Sequence, residues 1–134
     1  MGKYTNLNKI INSVFASPQW VSENIVTYPS NMSIPTGITA AIRVNIVAAR
    51  GSLVSFPKSV AGQVIIDIFV PSGDGPKQVN TISDTLDKYL SGKTLTDAGS
   101  VQLMESTLVD LGDDDANKSL RRFKYSISFN YYGV

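Results

Sequence analysis

The sequence predicts an α+β domain: a mostly antiparallel sheet with two helices on one face, in the order αβββαββ. Three observations carry this expectation. Stretches 7–16 and 76–90 place apolar residues at helical spacing, whereas 38–49, 62–70 and 120–132 alternate apolar and polar residues with a period of two. A short apolar run at 24–28 and a mixed one at 100–109 supply the remaining strands. At 134 residues, 43% of them hydrophobic and 17% charged, the chain reads as a single domain over 1–134. A chain of that length buries roughly 65–70% of its unfolded surface and needs no covalent staple. It holds no internal repeat, linker or low-complexity segment.

In the first helix Leu7, Ile10, Ile11, Val14 and Phe15 form the apolar stripe, Asn6 is the candidate N-cap, and Ser17-Pro18 ends the run. Trp20, the single tryptophan, follows in the connection, where a ring of that size is expected to plug one end of the core. Residues 24–28 read as an edge strand. Residues 28–37, with Pro29, Ser30, Asn31, Ser33, Pro35 and Gly37, read as an irregular loop.

In the strand at 38–49, Ile38, Ala40, Ile42, Val44 and Ile46 share one face, with Thr39, Arg43 and Asn45 on the other. In the next, Val64, Ile66, Ile68 and Val70 face the core. Its second face, Gln63, Ile65, Asp67 and Phe69, is only half polar, as if covered. After the turn at 71–76, Pro76 suits the first position of a helix whose stripe is Val79, Ile82, Leu86, Tyr89 and Leu90, and Gly92 marks its stop. The last strand alternates most cleanly. Phe123, Tyr125, Ile127, Phe129 and Tyr131 interleave with Arg122, Lys124, Ser126, Ser128 and Asn130, so the sheet keeps one polar, open face.

The chain contains neither cysteine nor histidine. Those residues supply the usual zinc, copper and haem ligands and the commonest nucleophile and base. Thiol chemistry, disulfides and soft-metal sites are therefore excluded. No catalytic, cofactor or metal site is expected, and the protein reads as a non-enzyme. A net charge of +1 gives no global field for nucleic acid or an anionic membrane. The charged fraction lies below the roughly 25% usual for soluble domains, which suits a surface covered by partners. The N-terminus has no signal-peptide pattern, and no apolar run approaches the roughly 18–20 residues that cross a bilayer, so synthesis in the cytoplasm is the default.

Four constellations remain. Residues 50–61, RGSLVSFPKSVA, are far longer than a hairpin turn and display Leu53, Val54 and Phe56 with Arg50 and Lys58. Such an arm either reaches a partner or folds back on its own domain; it is the leading contact candidate. The Gly73-Asp74-Gly75-Pro76-Lys77 run precedes a helix but lacks the P-loop spacing, and Asp74 repels anions, so it reads as a plain turn. Asp113, Asp114 and Asp115 form an acidic tip that matches no complete calcium loop. Lys118, Arg121, Arg122 and Lys124 follow at once. The resulting dipolar hairpin either pairs with an identical neighbour or neutralises itself. Finally, Arg121, Arg122 and Lys124 flank Phe123 and Tyr125 as in a basic-aromatic patch, yet the alternation places the rings on the core side, away from Arg122 and Lys124.

The run ITAAIRVNIVAARGSLVSF followed by GQVIIDIFVPSGDGPKQVNTISDTLDKYL resembles the tail terminator proteins of long-tailed bacteriophages. That family shows a strand carrying Arg-Val, a variable arm, a strand and turn of the form "G.v.i.if.P.G.G", and a helix before a glycine stop. The first helix, the strand near 101–109 and the closing strand ending in Tyr131 and Tyr132 also fall in the family's order, so the resemblance spans nearly the whole chain. It implies a non-enzymatic ring, usually hexameric, that caps the head-proximal end of a finished tail tube and offers a surface to the neck. Arg43 and the 71–76 turn match the family pattern in a structural role. The implied partners are further copies of the chain, the tail tube protein and a neck or connector protein. DNA would only pass through the channel, without sequence-specific binding, and no membrane is involved. The implied location is the virion. A tube subunit or head-tail connector is the alternative within the same machinery, and a nucleotide-binding or hydrolytic enzyme using the Gly-Asp-Gly turn or the aspartates is the alternative outside it.

Overall fold

Helical spacing at the N-terminus gives α1 (Lys3–Ala16), which buries Leu7, Ile10 and Ile11. The computed structural model describes residues 2–133 apart from 31, 33, 35–39, 51–58, 74–75, 98 and 115–118, and for 48–50 it describes the backbone alone. The helix starts four residues before the expected Leu7. The Asn6 N–H donates to Gly2 O at 3.1 Å, so Asn6 lies inside the helix, and its N-cap is Gly2 with no capping side chain. The first turn is solvent-facing and carries no apolar spacing, which hides it from a periodicity argument.

Ser17 ends α1 and caps α2 (Pro18–Val21), its Oγ accepting from the Trp20 N–H at 3.3 Å with Pro18 in the first turn. Trp20 is 1% exposed. Its ring meets Phe15 and Tyr89 edge-on at 5.1 and 5.4 Å, and its Nε1 donates to Thr27 Oγ1 at 3.0 Å. The ring therefore fastens α1, α2 and the start of the sheet at one end of the core.

The strands are β1 (Thr27–Tyr28), β2 (Ala41–Arg50), β3 (Ser59–Pro71), β4 (Thr94–Asp97), β5 (Gly99–Asp113) and β6 (Leu120–Tyr132), with α3 (Lys77–Leu90) between β3 and β4. They form a six-stranded mixed sheet in the order β1-β2-β3-β6-β5-β4. β1 runs parallel to β2, and the other four pairings are antiparallel. Among the described residues the fold is thus α+β with three helices.

The element order corrects the expected αβββαββ at two places, α2 and β4. Each is four residues long, too short to show a period of 3.6 or 2. Pro76 is the N-cap of α3, one position earlier than expected. β5 extends past the expected 109 to Asp113, and register shifts at Leu103/Ser106 and Asp110/Gly112 explain why its alternation reads as mixed.

The core joins Leu7, Ile10 and Ile11 of α1 and Val79, Ile82, Leu86 and Leu90 of α3 to one face of β2, β3 and β6, including Ile42, Val64, Ile66, Ile68, Tyr125 and Ile127. Fully burying each such aliphatic side chain stabilises by about 1.5–3 kcal/mol. Gly92 adopts φ +69 just beyond the C-cap Ser91, and its N–H donates to Met104 O at 3.0 Å. That left-handed residue ends α3 and ties it to β5.

Candidate contact surface

The expected arm is partly strand. Ser59, Val60 and Ala61 belong to β3 and pair with Tyr132, Tyr131 and Asn130 of β6, while Arg50 closes β2 opposite Ala61. The connection is therefore shorter than the 50–61 read from sequence. Leu53, Val54, Phe56 and Lys58 lie outside the described residues, as does the side chain of Arg50.

On the sheet face away from the core, period-two placement brings Arg43, Asn45, Asp67 and Arg122 together. The register sets Arg43 opposite Asp67, Asp67 opposite Lys124 and Phe69 opposite Arg122. Asp67 is 2% exposed. Arg43 Nε and Nη2 donate to its Oδ2 at 3.0 and 2.8 Å, Arg122 Nε and Nη2 donate to its Oδ1 at 3.1 and 2.8 Å, and Asn45 Nδ2 donates at 3.2 Å. Each guanidinium places both donors on one carboxylate oxygen, Arg43 on Oδ2 and Arg122 on Oδ1, and bonds to an ionised acceptor are the stronger, charge-assisted kind. Two cations around one anion, with Lys124 alongside, leave this patch net positive. Arg43 Nη1 also donates to Met32 O at 3.1 Å and its guanidinium sits 5.3 Å from the Phe69 ring centre. The sheet face expected to be open is therefore covered at this end, where Phe69 is also buried. Arg122, expected among the inter-subunit or lumen charges, is committed to Asp67.

The tip charges divide. Arg121 clamps Asp110, with Nη2 2.6 Å from Oδ2, and the Gly112 N–H donates to Asp110 Oδ1 at 2.9 Å. The guanidinium first, then that backbone donor, hold the Asp110 carboxyl below its ordinary pKa. Part of the hairpin thus neutralises itself. Asp113 Oδ1 accepts from Ser72 Oγ at 3.2 Å, and the Asp114 N–H donates to Leu120 O. Asp115 and Lys118 lie outside the described residues. Beside these charges Leu108, Val109 and Leu111 are exposed, three large apolar side chains that the sequence reading did not single out. Their signal was present as the run Leu108-Val109-Asp110-Leu111, which a strict alternation cannot bury on one side.

A cleft of about 530 Å³ opens between the segment after α2 and the first turns of α3, lined by Glu23, Ile25, Val26, Lys77, Thr81 and Thr85. Its carboxylate is occupied: Glu23 Oε2 accepts from Lys88 Nζ at 2.9 Å and from the Tyr89 hydroxyl at 2.7 Å. Lys88, then Tyr89, hold the Glu23 carboxyl below its ordinary pKa. Deeper in the fold Asp87 Oδ1 accepts from the Ser106 and Tyr125 hydroxyls, each at 2.6 Å. Burial, then that bond to Asp87, push the Tyr125 hydroxyl up. The Tyr125 ring is buried and Phe123 packs on the core, so neither offers a stacking surface for bases. Among the described residues no group of three or more Asp or Glu is placed to hold a metal ion, and no helix is long and apolar enough to cross a membrane.

No family model and no curated protein matches the sequence. A solved structure is similar over 92% of this chain and 87% of its own, with a TM-score of 0.57 at 12% identity. At that identity the likeness shows a shared fold.

Proposed function

We propose that this chain is a structural virion protein, a tail terminator whose ring caps the head-proximal end of a phage tail tube, stops its growth and presents the neck-joining surface. One observation carries the reading. The terminator-like segments occupy consecutive places in the fold: β2 with Arg43, the connection to β3, β3 running into the 71–76 turn, and α3 ended by Gly92. The absence of cysteine and histidine supports a protein that works by contact and not by catalysis.

In this reading the two long helices cover one face of a mostly antiparallel sheet, and the other face meets a neighbouring copy or lines the channel. The net positive patch around Asp67 favours the neighbour, because a basic lining would hold passing phosphates. The tube protein and a neck protein are the further partners, with the residues between β2 and β3 as the leading tube contact. Sedimentation and negative-stain microscopy of the purified chain test the proposal. Sixfold rings that bind tube ends are expected. A strictly monomeric chain blind to tube ends overturns it, and spontaneous growth into long tubes makes the chain a tube subunit instead.

A further inference from the structure

Both lateral borders of the sheet end in long strands that are only half covered. On its outer side β2 pairs with β1 at Ile42 and Arg43 alone, so among the described residues 44–50 have no outer partner. β5 pairs outward with β4 over Gly99–Gln102, and two further backbone bonds reach Leu103 and Met104. Beyond them, 105–113 have no outer partner among the described residues. A bare edge is a template for another strand, and monomeric proteins blunt it with lysine, proline, a bulge or a cover; here register shifts lie at Ala48/Arg50 in β2 and at Leu103/Ser106 and Asp110/Gly112 in β5. Neither AIRVNIVAAR nor GSVQLMESTLVDLGD contains a lysine or a proline. Instead these edges bear exposed Val47, Leu108, Val109 and Leu111.

The two edges suit each other. Over the stretches without an outer partner β2 carries Arg50 and no acid, and β5 carries Glu105, Asp110 and Asp113 and no base, with Asp110 already held by Arg121. Their directions also match, since successive antiparallel pairings from β2 through β3 and β6 leave β5 antiparallel to β2. Val47 pairs with Gln63 and Val109 with Lys124, which places both valines on the sheet face away from the core. A register that sets Val47 opposite Val109 aligns 44–50 with 106–112.

We propose that the free edge of β2 in one copy pairs antiparallel with the free edge of β5 in the next, continuing the sheet from subunit to subunit. The inference rests on the ring-forming reading and names the surface through which that ring closes. Because the two edges differ, the contact is head-to-tail and propagates around a circle instead of stopping at a dimer.

The chain has no cysteine, so Val47→Cys and Val109→Cys each introduce a single thiol into it. Mild oxidation of an equal mixture of the two variants is expected to give a disulfide dimer that neither variant gives alone. The double variant is expected to give a ladder that stops at the ring number. In parallel Val109→Lys, at an exposed position, is expected to keep the far-ultraviolet spectrum while weakening self-association by about tenfold or more. Homodimers of either single variant would overturn the proposal in favour of a two-fold contact. Rings by light scattering without the mixed cross-link, or rings undiminished in Val109→Lys, would overturn the edge pairing and leave the ring standing. No self-association at any concentration, with or without tube ends, would remove both.

Discussion

Asp67 shows how burial decides which member of an ion cluster is indispensable. The carboxylate is 2% exposed, whereas the side chains of Arg43 and Arg122 are 21% and 37% exposed. Asp67→Asn leaves two cations that can turn to water, so it is expected to cost about 2 kcal/mol in lost hydrogen bonds. Replacing both arginines by Met strands a buried anion with only Asn45 and is expected to cost more, about 3–5 kcal/mol. Urea denaturation of the two variants checks the ranking, and a reversed order would refute it.

Glu23 behaves differently because it is a surface group. Its carboxyl is held low by Lys88 and Tyr89, so its contribution is present above the unfolded-state pKa and is lost as pH falls through the folded-state value. Glu23→Gln removes that share. Between about pH 6 and pH 3 the variant should therefore show a smaller drop in Tm than the parent. Asp110, also lowered, keeps part of the slope in both.

At the scale of elements, strongly periodic runs were legible and short ones were not. The bounds 120–132 read from alternation are those of β6, and the α3 stripe is buried apart from the half-covered Tyr89. α2 and β4 escaped the reading, and the edge strand expected at 24–28 is only Thr27–Tyr28, because a two- or four-residue segment has no measurable period. Gly62 was visible as a letter without a reason. In the fold it lies opposite Ala48, beside the register shift of β2, and an added Cβ would sit 2.0 Å from Val47 O and 3.0 Å from the Phe129 ring. The glycine lets two backbones approach at the base of the β2–β3 hairpin. Gly62→Ala should cost about 2–3 kcal/mol, as overpacking does when the obstacle is backbone. Thermal denaturation measures it, and an unchanged Tm would show that the hairpin can part without loss.

For the whole molecule, composition and patterning sufficed for the α+β class and for a polar second face. They could not supply the register, and the register makes the site. Arg43 and Asp67 stand 24 residues apart and Asp67 and Arg122 stand 55 apart, so their meeting depends on which strands adjoin. From sequence alone Arg122 either meets a neighbour or is neutralised within its own hairpin, and its partner Asp67 on β3 is in neither place. The edges of β2 and β5 that lack a partner among the described residues were equally invisible, because an edge is defined by what does not pair beside it.

The strand order has a consequence in time. Of the described strands β6 comes last in the chain, yet it lies inside the sheet between β3 and β5. Until 120–132 leave the ribosome, no strand joins β1-β2-β3 to β4-β5, only α1 and α3 bridge them, and the inner edges of β3 and β5 are bare as well. Closing the sheet then requires contacts distant in sequence, the slow class of folding event. The order of events is thus built into the topology: among the described strands the central one follows all the others in the chain, and the sheet closes only when it fills the gap between β3 and β5.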